Sequence, residues 1–302
     1  MKKKYSLIFI IISVSIMLVA LFFAKYALTH KPSDYKLSFI GYGGTFNRKK
    51  TGVDKWIIQP YWLMYIIGIT GMCILCIFRR LEIEIKIWQA FSIGILLAVF
   101  GYLGAKGLYI IENYKYVKEN GIKLSGTSFF GSVFIMLLAI PLIKRILLIK
   151  TGDLLFMDFC TPAGVLMLAC VRIGCFMNGC CRGIGRFIND KPLVYPVQLI
   201  ESSLDFLILG ILMSERVRIR FKNRLIFLFM ISYGVVRYIL EAYRNTSKTD
   251  NIFIKRSHAS NLNELVPSNG QIFAIISAAI GIVMLIVISR RNRGKANITA
   301  VF

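Results

Sequence analysis

The sequence predicts an all-α, polytopic membrane bundle, built as a seven-helix core with one extra transmembrane helix at its N-terminus. Three observations carry this expectation. The chain of 302 residues is 56% hydrophobic and only 18% charged, whereas soluble domains run nearer about 45–50% apolar and about 25% charged. Its mean hydropathy is +0.65. The apolar residues gather into eight stretches, each close to the roughly 20 residues that a helix needs to cross hydrocarbon. Disordered, collagen-like and disulfide-framework chains are excluded by this composition. The net charge of +23 would suggest nucleic acid on a soluble protein. Here lysines and arginines mark cytoplasmic loops and meet anionic lipid heads, so the expected partner is a lipid bilayer and no nucleic acid.

The first stretch, 5–27, follows Lys2, Lys3 and Lys4. A basic start resembles a secretory signal, but the apolar run is long and no small-x-small site closes it. No cysteine follows its small residues, so an uncleaved anchor is expected. The second stretch, 60–78, stops at Arg79 and Arg80. The third is 87–111, and the fourth, 128–143, is short and contains glycine. The remaining four are 154–178, 196–213, 225–242 and 271–288. On this division 1–59 is an anchor helix with an outward-facing loop, and 60–302 is a seven-helix membrane domain.

Orientation comes from lysine and arginine. Their numbers on the two sides are nearly equal, so density decides. With the N-terminus inside, the inner clusters are short and hug helix ends, such as Lys144 and Arg145 or Arg290 and Arg291. Outer charges spread over the longer loops 29–59, 112–127, 179–195 and 244–270. Both termini are therefore expected in the cytoplasm.

Ionisable residues inside spans are costly and are functional candidates by default. Lys106, Asp158, Arg172, Glu201, Asp205, Arg237 and Glu241 all fall within the stretches. Arg237, Glu241 and Arg244 share one helical face by spacing. A structural ion pair accounts for any single pair. Arg172, Arg237, Glu241 and Arg244, all near the outward helix ends, suit an anionic head group as a set, because a guanidinium fork matches phosphate oxygens.

Seven cysteines are present, with Cys175, Cys180 and Cys181 clustered at the outer end of the fifth stretch. A metal site would want histidine company, and the two histidines, His30 and His258, lie in other loops. Metal is disfavoured against an extracytoplasmic disulfide, and the pairing stays open. No P-loop, dinucleotide fingerprint, HExxH or GxSxG occurs, so no cofactor is expected.

The segment VRIGCFMNGCCRG, residues 171–183, resembles the signature G-R-x-G-N-F-x-N-G-E-x-x-G-R of the prolipoprotein diacylglyceryl transferases. Arg172, Gly174, Phe176, Asn178, Gly179 and Gly183 match it. Further resemblances follow in chain order. PYWLMYIIG (60–68) is similar to the family's first helix, with Tyr61 on its functional tyrosine. GAK (104–106) is similar to G-x-R, with Lys106 for arginine, and SFFGS (128–132) to S-F-H-G-G, with Phe130 for histidine. MDFCTP (157–162), YPVQLIES (195–202), YGVVRYILEAYR (233–244) and SNGQ (268–271) resemble the remaining motifs. Cys175 and Cys180 stand at the signature's first asparagine and its glutamate, and Ile184 at its closing arginine.

The resemblance implies a transferase of lipoprotein biogenesis in the bacterial plasma membrane, multi-pass, with its active site toward the outer face. Such an enzyme moves a diacylglyceryl group from phosphatidylglycerol to the lipobox cysteine of a preprolipoprotein, so both are implied partners. It places catalytic roles on Arg172, Arg237, Tyr61 and Glu241. Substrate binding would fall to Asn178, Gly179, Gly183, Arg244, Gln198, Glu201 and Lys106. Two alternatives stand beside it: a divergent member using another acceptor, and a catalytically silent lipid-binding membrane protein.

Overall fold

The computed structural model describes residues 2–29, 60–112, 114, 117–118, 121, 129–177, 181, 185–188, 191–194, 196–244 and 268–299. Every predicted apolar stretch is a helix. They are α1 (Lys2–Thr29), α2 (Pro60–Arg79), α3 (Ile87–Glu112), α4 (Phe129–Ile146) and α5 (Asp153–Met177), followed by α6 (Val197–Met213), α8 (Leu225–Ala242) and α9 (Asn269–Thr299). A short helix, α7 (Glu215–Arg220), lies between α6 and α8. Its glutamate falls in the first turn and its arginines in the last, which complements the helix dipole. Among the described residues, five helices are long and apolar enough to cross a membrane by length and composition. Helices suit that setting because every backbone group is satisfied within the segment. The chain is an all-α membrane bundle, with one addition inside the loop 179–195. There β1 (Gly185–Ile188) and β2 (Lys191–Val194) pair antiparallel as a hairpin.

The chain forms two compact units, one of residues 1–68 with 165–302 and the other of residues 69–164. In the second unit α3 crosses α4 at Gly104 and Gly131. A methyl group on Gly131 would lie 2.6 Å from the Leu108 Cβ. Ser132 Oγ donates to the Gly101 carbonyl at 2.8 Å across the same crossing. Small residues and hydroxyl bonds of this kind hold helices together where lipid removes the hydrophobic drive. Arg79 is buried at the end of α2. It donates to the Phe159 carbonyl at 2.7 Å and pairs with Glu82 at 2.9 Å.

In the first unit α8 packs along α9 and also against α6, while α1 packs along α6. Gly234 lets α8 approach α9 closely, since a Cβ there would sit 2.8 Å from the Ala274 carbonyl oxygen. Gly174 of α5 does the same for the start of α2, where a Cβ would sit 3.3 Å from the Tyr61 carbonyl oxygen and 3.1 Å from the Met64 Cβ. The glycine two residues after Arg172 thus brings the Tyr61 backbone against α5.

Candidate functional site

Glu201 is the centre of the site. It sits near the start of α6 and is 2% exposed. Three side chains from two other helices converge on its carboxylate. Arg172 of α5 reaches Oε1 at 3.0 Å. Arg237 of α8 spans both oxygens with Nη1, at 3.1 and 3.0 Å. Tyr233, one helical turn before Arg237, donates its hydroxyl to Oε1 at 3.0 Å and receives Arg172 Nη2 at 3.5 Å.

The ion pairing continues along α8. Arg237 Nη2 meets Glu241 Oε2 at 2.7 Å, and Arg244 Nη1 meets the same oxygen at 3.4 Å. This follows from sequence spacing, because residues three and four apart share a helix face. Ser268, just before α9, donates its hydroxyl to Glu241 Oε1 at 3.4 Å. The next turn of α9 is capped by the same serine, whose Oγ accepts the Gln271 backbone N–H at 3.2 Å. Gly270 lies directly under Glu241. A methyl group at that glycine would come 2.6 Å from the carboxylate carbon.

Arg172, Glu201, Arg237, Glu241 and Arg244 therefore form one chain of ion pairs through α5, α6 and α8. Among the described residues that form these ion pairs, three guanidiniums meet two carboxylates. All but Arg244 are buried, where removing one partner from such a pair is strongly unfavourable. Asp205, one turn beyond Glu201 on α6, is also fully buried. Neither of its oxygens meets a hydrogen-bond partner among the described residues.

A sequence profile of the family described as prolipoprotein diacylglyceryl transferase matches residues 52–287. The chain belongs to the prolipoprotein diacylglyceryl transferase family. The relatives it resembles carry the matching name. The phosphatidylglycerol–prolipoprotein diacylglyceryl transferase of Clostridium tetani is 30% identical over 204 residues, covering 62% of this chain and 81% of that protein. Transferase 2 of Clostridium perfringens is 28% identical over 210 residues, covering 62% and 79%. The Campylobacter jejuni transferase is 27% identical over 214 residues, covering 62% and 77%. α1 lies before the part that matches the family.

Five of the eleven site residues that the family resemblance picks out come together. Arg172, Arg237, Glu241, Arg244 and Glu201 are joined by ion pairs. Gln198 is buried one turn before Glu201 on α6. Tyr61 stacks on Tyr65 with ring centroids 6.5 Å apart, and its backbone lies against Gly174. Lys106 belongs to the other unit, where its ammonium lies 5.3 Å from the Tyr109 ring centre. Asn178, Gly179, Gly183 and Cys180 lie outside the described residues. Cys175 is buried and Cys181 is half-buried.

The residues overlooked in the sequence are Tyr233, Ser268 and Gly270, although all three lie inside quoted motifs. Tyr233 had a usable signal, because four residues before Arg237 places it on the same helix face. Ser268 and Gly270 had none, because their partner Glu241 is on another helix.

Proposed function

We propose that this chain transfers a diacylglyceryl group from phosphatidylglycerol to the lipobox cysteine of preprolipoproteins, at the outer face of a bacterial plasma membrane. Family membership supports the reaction. The observation that carries it to this chain is the buried run of ion pairs with one guanidinium in excess over its carboxylates. That excess suits a single phosphodiester, whose head group bears one negative charge.

In this reading the acceptor sulfur attacks the glycerol carbon that bears the phosphate. A carbon–sulfur bond forms, the carbon–oxygen bond breaks, and glycerol phosphate leaves with the electron pair. Arg172 and Arg237 stabilise the charge that gathers on the departing phosphate. Glu201 holds both guanidiniums in ion pairs, so they need little reorganisation as the reaction proceeds. Arg244 and Gln198 are assigned to substrate binding, and the family resemblance gives the same role to Asn178, Gly179, Gly183 and Lys106.

The thiol proton requires an acceptor, and Phe130 stands where the family motif has histidine. Glu241 and Tyr61 are the two groups assigned to it. On Glu241, Oε2 is taken by two arginines, whereas Oε1 meets Ser268 at a long 3.4 Å. Oε1, which meets no guanidinium among the described residues, is the oxygen assigned the proton. Losing a positioned base typically costs on the order of 10²–10⁴ in rate, so turnover is slow.

The test is purified protein with labelled phosphatidylglycerol and a lipobox peptide. The expected result is a thioether-linked peptide and released glycerol phosphate, both lost in Arg237→Ala. Lipid binding without consumption of lipid or modification of peptide would replace the transferase with a silent lipid binder.

A further inference from the structure

We propose that the flank of α6 bearing Leu199 and Ser203 is the seat for the apolar segment of the acceptor protein, and that α1 occupies this seat in cis without offering a thiol. The inference rests on the transferase reading and adds to it where the acceptor docks and what competes with it.

The contact carries a reciprocal pair of hydroxyl bonds. Ser13 Oγ donates to the Ser203 carbonyl at 2.7 Å, and Ser203 Oγ donates back to the Ser13 carbonyl at 2.8 Å. Seven residues further along α1, on the same face, Ala20 is buried against Leu199 of α6 and Phe176 of α5. Contact thus advances along α1 while it retreats along α6, so the two helices are antiparallel. Within residues 7–22 Ser13 and Ala20 are the buried positions, and Leu7, Ile11, Val14, Leu18 and Phe22 are exposed. In lipid an apolar helix gains nothing by hiding such side chains. Association rests on small residues and interhelical hydroxyl bonds. α1 is therefore held by Ser13 and Ala20, with Ile16 packed beside Ala20 and with β2 also against the helix, a contact that a similar helix can take over.

Leu199 and Ser203 share the face of α6 turned away from Glu201, two residues to either side of it. The seat meets the site through α5, where Phe176, packed with Leu199 and Ala20, is one turn past Arg172. The seat also falls inside the stretch that matches the family, residues 52–287, whereas its occupant falls before it. In build, α1 is what the acceptor's leading segment is: Lys2, Lys3 and Lys4, then an apolar run. From Ala20 to its end at Thr29 it contains no cysteine. An acceptor segment taking the place of α1 advances its C-terminal end toward Leu199 and Phe176, and so carries its thiol to the arginine cluster. While α1 is seated that approach is closed, and the phosphatidylglycerol side of the site is untouched.

The experiment uses the full chain in phosphatidylglycerol vesicles. Ser13→Cys with Ser203→Cys locks α1 in place, because the two hydroxyls lie 3.2 Å apart and a disulfide needs about 2.0 Å. The probes are two peptides with a basic start and an apolar run. One ends in a lipobox cysteine and reports transfer. The other has serine there and a photo-crosslinker, and reports docking without chemistry. Oxidation of the double variant is expected to lower crosslinking to α6 and transfer at least tenfold, with phosphatidylglycerol binding unchanged and full recovery on reduction. Ser13→Leu, which breaks the serine pair, is expected to raise crosslinking and lower the peptide KM several-fold while the phosphatidylglycerol KM holds. Undiminished crosslinking in the locked protein overturns the proposal. So does an unchanged peptide crosslinking yield in Ser13→Leu, which decides the matter if the engineered disulfide does not form. If locking blocks crosslinking but no form of the protein transfers lipid, the seat stands and the transferase reading fails.

Discussion

Glu201→Gln tests the ion-pair chain at its centre. The substitution keeps the shape of the side chain and removes the charge that Arg172, Arg237 and Tyr233 all address within 3.1 Å. Breaking a buried pair by neutralising one partner costs about 3–5 kcal/mol, because a charge is left uncompensated. Arg237 keeps Glu241 at 2.7 Å after the change, which limits the loss, so a value near the lower end is expected. Arg172→Gln costs less, since Glu201 keeps its two-oxygen contact with Arg237. In the double variant both charges are gone and neither is stranded. Its cost should therefore fall short of the sum of the single variants by about 0.5–3 kcal/mol. Equilibrium unfolding in mixed micelles measures all four corners of the cycle. Additivity within about 0.5 kcal/mol, the result for independent sites, would refute the pairing of Arg172 with Glu201.

Tyr233→Phe removes a hydroxyl that serves both Glu201 and Arg172, and should cost about 1.5–3 kcal/mol in the same unfolding assay, as for hydrogen bonds to charged groups. Gly270→Ala places a methyl group 2.6 Å from the Glu241 carboxylate carbon; overpacking of about 1–3 kcal/mol is expected, together with a lower transfer rate, since Glu241 must move. Gly107→Ala is its control, because a Cβ at Gly107 meets nothing within 4 Å, and thermal unfolding should show no loss of stability. Gly131→Ala should destabilise the α3–α4 crossing by a similar about 1–3 kcal/mol, read as a lower unfolding temperature in detergent.

The places of the eight long helices were legible in the sequence because the bilayer imposes a local requirement. Each segment must be apolar over its own length and must satisfy its own backbone. For that reason the stretch 225–242 was read at the bounds of α8 and six others within a few residues of theirs, whereas α9 runs on past the expected 288 to Thr299. The pairing of Glu241 with Arg237 and Arg244 was legible for the same kind of reason, since one helix fixes its own three- and four-residue neighbours. The motifs also pointed to Arg172 and Glu201 separately.

That these two residues are partners was decided only in three dimensions. Their contact joins α5 to α6, and no periodicity within one helix encodes which face meets which. The hydroxyl of Tyr233 between them and the place of Gly270 beneath Glu241 depend likewise on how α8 packs against α6 and α9. The hairpin at 185–188 and 191–194 was read as plain loop, because pairing depends on the register of two strands and not on composition alone. The sequence determined that α1 is an apolar helix with a basic start. Its seat on α6 was a tertiary outcome, because in lipid apolar faces are interchangeable and only the meeting of Ser13 with Ser203, and of Ala20 with Leu199, singles out one.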